Sequence, residues 1–200
     1  MLVDYNSIHE PEYAKINERI SPNLKLYLNR LKQHVPNINI RLYGSITNFT
    51  HFKNKSDVDC FITYSDEYTK NKLIQFVTED SLQFKIKRIN VQQLKFSSLN
   101  HKDEFSDVYC VYFDNGDKID FTLIYGDFGP LIKLQHHTGI IYIFFLYIIK
   151  WLYYYANIIS KDLFIYLKKK IFVVKDYFSN MTVTVLHKTN IKVSDSDSSS

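Results

Sequence analysis

Two cysteines, four prolines, five glycines and one tryptophan are all that the 200 residues hold of these types. With only Cys60 and Cys110, each inside an apolar strand-like run, neither a disulfide framework nor a zinc-ligand pattern can be built. Both read as free buried thiols, and a reducing compartment is expected. The scarcity of Gly and Pro excludes a collagen-like or low-complexity chain. Charge of either sign is in short excess: 25 Lys and Arg against 21 Asp and Glu leave +4. That permits a nucleotide or nucleic-acid partner without demanding one, and no long basic stripe marks a dedicated DNA-binding module. Met1-Leu2-Val3-Asp4-Tyr5-Asn6 lacks the basic start and apolar run of a secretory leader, so a cytoplasmic location is the expectation. Apolar side chains are plentiful: 46% of residues are hydrophobic, with 16 Tyr and 15 Phe. That suffices for a real core in one domain, or a domain with a small appendage.

The long apolar stretch, residues 139–159, needs a membrane test. Ile140-Ile141-Tyr142-Ile143-Phe144-Phe145-Leu146-Tyr147-Ile148-Ile149 is followed by Lys150, where a spanning helix would bear a cost of roughly 2.5–3.5 kcal/mol. Tyr153-Tyr154-Tyr155 and Asn157 then dilute the second half, and about 20 largely apolar residues are needed to span. A helix buried against a sheet is the expected reading, not a membrane span.

Periodicity divides the rest. Residues 1–20 are polar and weakly patterned. Ser21-Pro22 opens a helix over 22–34, striped by Leu24, Leu26, Tyr27, Leu28 and Leu31. Ile38, Ile40 and Leu42 alternate with polar neighbours up to Gly44, predicting a strand. Residues 45–49 suggest a short helix, 58–64 a strand, 68–77 a helix and 82–89 a strand. Residues 90–106 are polar and ambiguous. Strands are predicted over 107–113 and 118–125, joined at Asp114-Asn115-Gly116-Asp117, where Asn-Gly is a hairpin signal. From 131 to 178 the chain reads as helical. The division is therefore a polar N-terminal segment (1–20), a core (21–130), a helical extension (131–180) and a tail (181–200) whose Ser/Asp-rich end is disorder-prone.

Chemistry concentrates in one constellation. Leu42-Tyr43-Gly44-Ser45 is followed about a dozen residues later by Ser56-Asp57-Val58-Asp59-Cys60-Phe61. Gly44 lets the chain turn tightly and lets a phosphate come close. Ser45, opening a helix, adds a hydroxyl to its N–H groups and dipole. Asp57 and Asp59, two apart on a strand, project to one side, where paired carboxylates suit a hard cation such as Mg2+. Asp120, flanked by Ile119 and Phe121, fits best as a third acid from a neighbouring strand; an acid on a solvated face is the plainer alternative. Asp114 and Asp117 are explained by the turn. Asp195-x-Asp197 repeats the spacing with neither strand nor Gly-Ser before it, so nothing is assigned to it. Lys150, alone in an apolar helix, either meets an anion or reaches to the surface. Trp151 and Tyr153–Tyr155 are expected in packing. His136-His137 point different ways on a helix and make no joint site, and Lys168-Lys169-Lys170 reads as a solvated helix end.

The order helix, strand, Gly-Ser, short helix, Asp-x-Asp strand, then a later strand with a lone acid resembles the nucleotidyltransferase superfamily of DNA polymerase beta, over roughly residues 22–155. Tyr147-Ile148-Ile149-Lys150-Trp151 is similar to the Leu-Ile-Lys-x-Trp helix of its poly(A) polymerase and oligoadenylate synthetase branch. The resemblance implies an α+β fold, a mixed sheet flanked by helices with a C-terminal helical extension. It also implies transfer of a nucleoside monophosphate from an NTP, ATP for preference, to an acceptor hydroxyl such as an RNA 3′ end or a nucleotide. Asp57, Asp59 and Asp120 would be catalytic and metal-binding, with Mg2+ or Mn2+. Gly44, Ser45, Ser56 and Lys150 would bind the nucleotide. Two positions depart from the pattern: many members carry arginine where Asn48 stands and a second glycine where Phe49 stands, and Phe49 is expected to crowd the triphosphate turn. About 75 residues follow the sheet, too few for the central and RNA-binding domains of large poly(A) polymerases. The alternative is a weak or inactive member serving as a nucleotide-binding or protein-interaction module.

Overall fold

The computed structural model describes residues 2–52, 55–79, 83–98, 101–126, 140–179 and 181–192. Its strands are β1 (Val3–Asp4), β2 (Asn39–Tyr43), β3 (Val58–Tyr64), β4 (Ile86–Ser98), β5 (His101–Phe113), β6 (Lys118–Tyr125) and β7 (Met181–Lys192). They form one sheet in the order β1-β2-β3-β6-β5-β4-β7. Every neighbouring pair is antiparallel except β3 and β6. Five α-helices accompany them among the described residues: α1 (Ala14–Arg19), α2 (Pro22–His34), α3 (Glu67–Glu79), α4 (Ile140–Tyr154) and α5 (Lys161–Ser179). The fold is the mixed α+β arrangement expected of a nucleotidyltransferase-like domain.

Alternation along the central strands separates the two faces of the sheet. Ile40, Leu42, Val58, Cys60, Ile62, Ile119, Phe121 and Leu123 are buried in the main core. Their neighbours Tyr43, Asp59, Phe61, Asp120 and Thr122 point the other way, as the two-residue period of a strand requires. The core face is covered by α2 and α3. Helix α2 begins at Ser21, whose hydroxyl accepts from Leu24 N at 3.2 Å, with Pro22 in the first turn where it loses no hydrogen bond; Leu24, Tyr27, Leu28 and Leu31 are its buried stripe. Asp66 Oδ1 accepts from Thr69 N at 2.8 Å at the head of α3, which buries Leu73, Phe76 and Val77. Tyr27 is the hub, with Phe76, Phe84, Phe113 and Phe121 rings 5.0–5.9 Å from its own.

Three expectations are corrected and one open region is assigned. Residues 1–20 are not merely polar: Val3, Tyr5, Ile8, Ile16 and Ile20 enter the main core. The spacing looked weak because they come from a two-residue strand, a 3₁₀ turn and the short helix α1 with its cap, rather than one periodic element. The strand expected over 82–89 starts at Ile86, because Lys85 adopts φ +51°, which interrupts extended backbone; Leu82 lies outside the described residues. The ambiguous 90–106 region extends β4 and β5 into a long antiparallel hairpin. The tail begins with β7, paired to β4 along its length.

In the extension, α4 and α5 meet through Tyr153 and Phe164, stacked at 4.5 Å between centroids. Ile140, Ile141, Phe144 and Phe145 of α4 are exposed. No described helix is long and apolar enough to cross a membrane.

Candidate active site

Sheet register assembles the acids. In the parallel pair Asp59 lies opposite Asp120, Tyr43 opposite Asp59 on one side, and Cys110 opposite Asp120 on the other. Residues paired across neighbouring strands share a face, so Tyr43, Asp59, Asp120 and Cys110 form one row. Asp57 precedes β3 by one residue and lies one pleat away, where its Oδ1 meets Lys118 Nζ at 3.4 Å. Tyr43 stacks on Phe61 at 4.0 Å, and Phe61 and Ile124 form a small apolar cluster on this face.

Gly44 fits this row for two reasons. Its φ is +73°, the left-handed region that disfavours residues with a Cβ. A Cβ there would also collide with Asp59 Oδ2 and sit 3.1 Å from its Cγ.

Burial dominates the electrostatics. It raises the Asp59 carboxyl to about 7, helped by the charges of Asp120 and Asp57. Asp120 is raised to about 6, again by burial first and then by Asp57. The Cys110 thiol hydrogen-bonds Asp120 and is itself pushed up by burial and by that carboxylate. The site face therefore concentrates negative charge in a poorly solvated place, which favours a cation. Among the described residues no three His, Cys, Asp or Glu side chains stand ready as a metal-ligand group. The Asp57 carboxylate is turned to Lys118 instead, as expected where like charges repel and an ammonium is in reach.

On the β2 side, the segment after Gly44 is a single 3₁₀ turn, Gly44–Thr47. The short helix expected over 45–49 is thus too brief to supply a macrodipole, so backbone N–H groups and side chains must do that work. Ser45 is buried at 8% exposure. The turn is tied by its own polar groups: Asn48 Nδ2 donates to Gly44 O at 2.8 Å, Asn48 Oδ1 accepts from Thr50 N and Oγ1, and Arg19 Nη1 donates to Ile46 O and Asn48 O at 2.7 and 2.6 Å. Asn48, where an arginine is common, is thus a loop clamp. Phe49 does not fold over the turn; its ring lies 5.5 Å from that of Tyr147 on α4.

Lys150 reaches this loop. It is only 6% exposed, with Nζ 3.1 Å from Thr50 O and 3.4 Å from Ser56 Oγ. The reading of a lysine reaching to the surface is excluded. Desolvation, then the charge of Lys168, lowers it to about 8, while Asp59 and Asp57 act in the other direction. Ser56 Oγ also accepts from Phe52 N at 3.1 Å. Phe52 is buried against Tyr147, Tyr154 and Tyr155 of α4 and its end. Of the aromatic run expected in packing, Tyr153 and Tyr154 do pack, but Trp151 and Tyr155 stay exposed at 44% and 62%.

Two participants escaped the sequence. Lys168 is half-buried, and its charge acts on Asp59, Asp120 and Lys150; inside a Lys-Lys-Lys run it carried no distinguishing signal. Cys110 was legible as a buried thiol but not as a neighbour of Asp120, which depends on strand register. His136, His137, Asp195 and Asp197 lie outside the described residues.

Residues 24–110 match the model of the nucleotidyltransferase domain family, within the polymerase beta-like superfamily. The matched span includes Gly44, Ser45, Ser56, Asp57 and Asp59; Asp120 and Lys150 follow it. No curated protein and no solved structure matches the chain. The domain match supports, at the coarse level, a transferase that moves a nucleoside monophosphate group.

Proposed function

We propose that this chain transfers a nucleoside monophosphate from an NTP, ATP being the first to test, to an acceptor hydroxyl with release of pyrophosphate. What supports the reading is the β3–β6 register that pairs Asp59 with Asp120, with Gly44 packed against the Asp59 carboxylate. Asp57, Asp59 and Asp120 would hold Mg2+ or Mn2+. The donor set is all oxygen, the choice of hard cations, and two of the three carboxyls are held above their ordinary range by burial and mutual repulsion, which a cation relieves. Bound there, divalent ions would neutralise charge on the attacking and leaving oxygens.

The side chains supply the rest. Asp120, near 6, is poised as the base that takes the acceptor hydroxyl's proton, since a base works best with its pKa near the operating pH. The freed oxygen bonds to the α-phosphorus. The bond from that phosphorus to the oxygen bridging to the β-phosphate breaks, and its electron pair leaves with pyrophosphate. Lys150, the backbone at Gly44 and Ser45, and Ser56 would orient the β- and γ-phosphates, a task of positioning and charge neutralisation. The Lys150-Trp151 helix favours the poly(A) polymerase and oligoadenylate synthetase branch as the source of comparison.

The test is transfer from labelled NTPs, with Mg2+ or Mn2+, to RNA, nucleotide and protein acceptors. Asp57→Ala with Asp59→Ala should reduce turnover on the order of 10³-fold or more. Turnover unchanged in that double variant sinks the mechanism.

A further inference from the structure

Beyond the acids, on the side away from Gly44 and Lys150, the same sheet face carries a second row. Lys118 lies opposite Tyr112 and Tyr112 opposite Arg88, so Asp57, Lys118, Tyr112 and Arg88 follow one another across β3, β6, β5 and β4. This row is one pleat from the Asp59–Asp120–Cys110 row. The Arg88 guanidinium carbon lies over the Tyr112 ring, 4.2 Å from its centroid, and Lys118 Nζ approaches the same ring at 5.9 Å. The β4–β5 register slips between Ile86 and Arg88, leaving Lys87 as an extra residue. A bulge of this kind re-aims side chains; Lys87 and Arg88, which regular pleating would send to opposite faces, both line one groove. That groove has a volume of about 520 Å³ and is lined also by Tyr112 and Lys118. Asp114 and Asp117 line it too, against the three cations Lys87, Arg88 and Lys118; Asp117 is turned to the Ser21 hydroxyl and the Asn115 amide, and Lys118 to Asp57.

We infer that this groove holds the 3′ end of a single-stranded polynucleotide, delivering its terminal hydroxyl to Asp120; the inference rests on the proposed transfer reaction. Position argues for it. Lys150 and the Gly44 turn flank the acids on the β2 side and the groove flanks them on the β5–β4 side, the opposed arrangement that an in-line displacement needs. Chemistry argues for it too. Arg88 makes no ion pair among the described residues, and a guanidinium held over a ring still has five N–H donors to offer a phosphate. Tyr112 offers a ring to a base, and the combination of cations with a stacking platform is how single strands are held without sequence preference. Length argues for a strand over a lone nucleotide: three strand-to-strand steps span about 14 Å.

The experiment is fluorescence anisotropy with a short 5′-labelled single-stranded RNA, in EDTA and without NTP, so that binding is read apart from catalysis. Wild-type protein should bind, with affinity falling steeply with salt. Arg88→Ala and Tyr112→Ala should each weaken Kd roughly tenfold, Arg88→Ala should flatten the salt slope by about one, and Arg88→Lys should recover part of the loss. Asp57→Ala with Asp59→Ala, which frees Lys118 from its ion pair and removes negative charge beside the groove, should bind at least as tightly as wild type, so that a failed reaction and a failed groove look different. A single-stranded DNA of the same sequence binding equally supports the shared strand chemistry, and tighter RNA binding supports it with a contribution from the 2′-hydroxyl. No binding by wild type, competition by a mononucleotide as strong as by the strand, or unchanged Kd in Arg88→Ala and Tyr112→Ala overturns the inference. Photo-crosslinking of thiouridine-containing RNA to wild-type protein gives a reading that needs no variant: crosslinks at Tyr112 or its β5 neighbours support the groove, and crosslinks confined elsewhere overturn it.

Discussion

At Gly44 two demands meet in one residue: a backbone at φ +73° and a Cα so near Asp59 that no Cβ fits. Gly44→Ala should therefore cost about 1–2 kcal/mol for the left-handed backbone alone, and it must also displace the Asp59 carboxylate. Urea denaturation should show the loss of stability, and nucleotidyl transfer should fall further than stability does. A variant that keeps both wild-type stability and turnover refutes the close packing of turn and acid. Gly44, Asp57 and Asp59 were readable from local sequence because their roles are set by neighbours one or two residues away. Lys168 and Cys110 were not, because a helix pairing and a strand register bring them in from 48 and 10 residues beyond and before Asp120.

Elements differ in the same way. Strands β3 and β6 were legible end to end because each is a short apolar run between polar boundaries, buried on both faces from Cys60 to Thr63 and from Phe121 to Ile124. In β4 and β5 the run Asn90-Val91-Gln92-Gln93-Leu94-Lys95 carries polar side chains at both parities, so no two-residue pattern survives; pairing partners on both sides, not local preference, fix that strand. Helix α4 shows how an element is docked by few contacts. It touches the loop between β2 and β3 through Lys150 and through Phe52, whose ring lies 5.4–5.7 Å from those of Tyr147, Tyr154 and Tyr155. Phe52→Ala should destabilise by about 3 kcal/mol, in the range for losing a buried aromatic. Because the loss falls between two elements, hydrogen exchange should accelerate in α4 before it does in α2 or α3. Equal acceleration everywhere contradicts a separately docked helix.

For the molecule as a whole, the acids at mid-sheet set how stability depends on pH. Asp59 and Asp120 are raised from 3.8 to about 7 and about 6, so the folded state holds protons that the unfolded chain has released. Between pH 4 and pH 7 this makes stability fall as pH rises. His51, lowered from 6.5 to about 4 by burial and by Lys150, acts oppositely over nearly the same window, since there the unfolded chain binds a proton that the fold refuses. Two raised acids against one lowered histidine leave a net decline. Asp59→Asn isolates the larger part: in EDTA its stability should fall less from pH 4 to pH 7 than that of wild type, and at pH 8 it should be more stable by on the order of a few kcal/mol. Millimolar Mg2+ should stabilise the wild type at pH 8, as any ligand of the folded state does, and should do little for Asp59→Asn. Chemical denaturation at several pH values checks each arm. Wild-type stability that rises from pH 4 to pH 7 relative to Asp59→Asn contradicts a desolvated carboxylate cluster. The decline measures what the fold gives up in stability to keep two carboxyls desolvated side by side at mid-sheet.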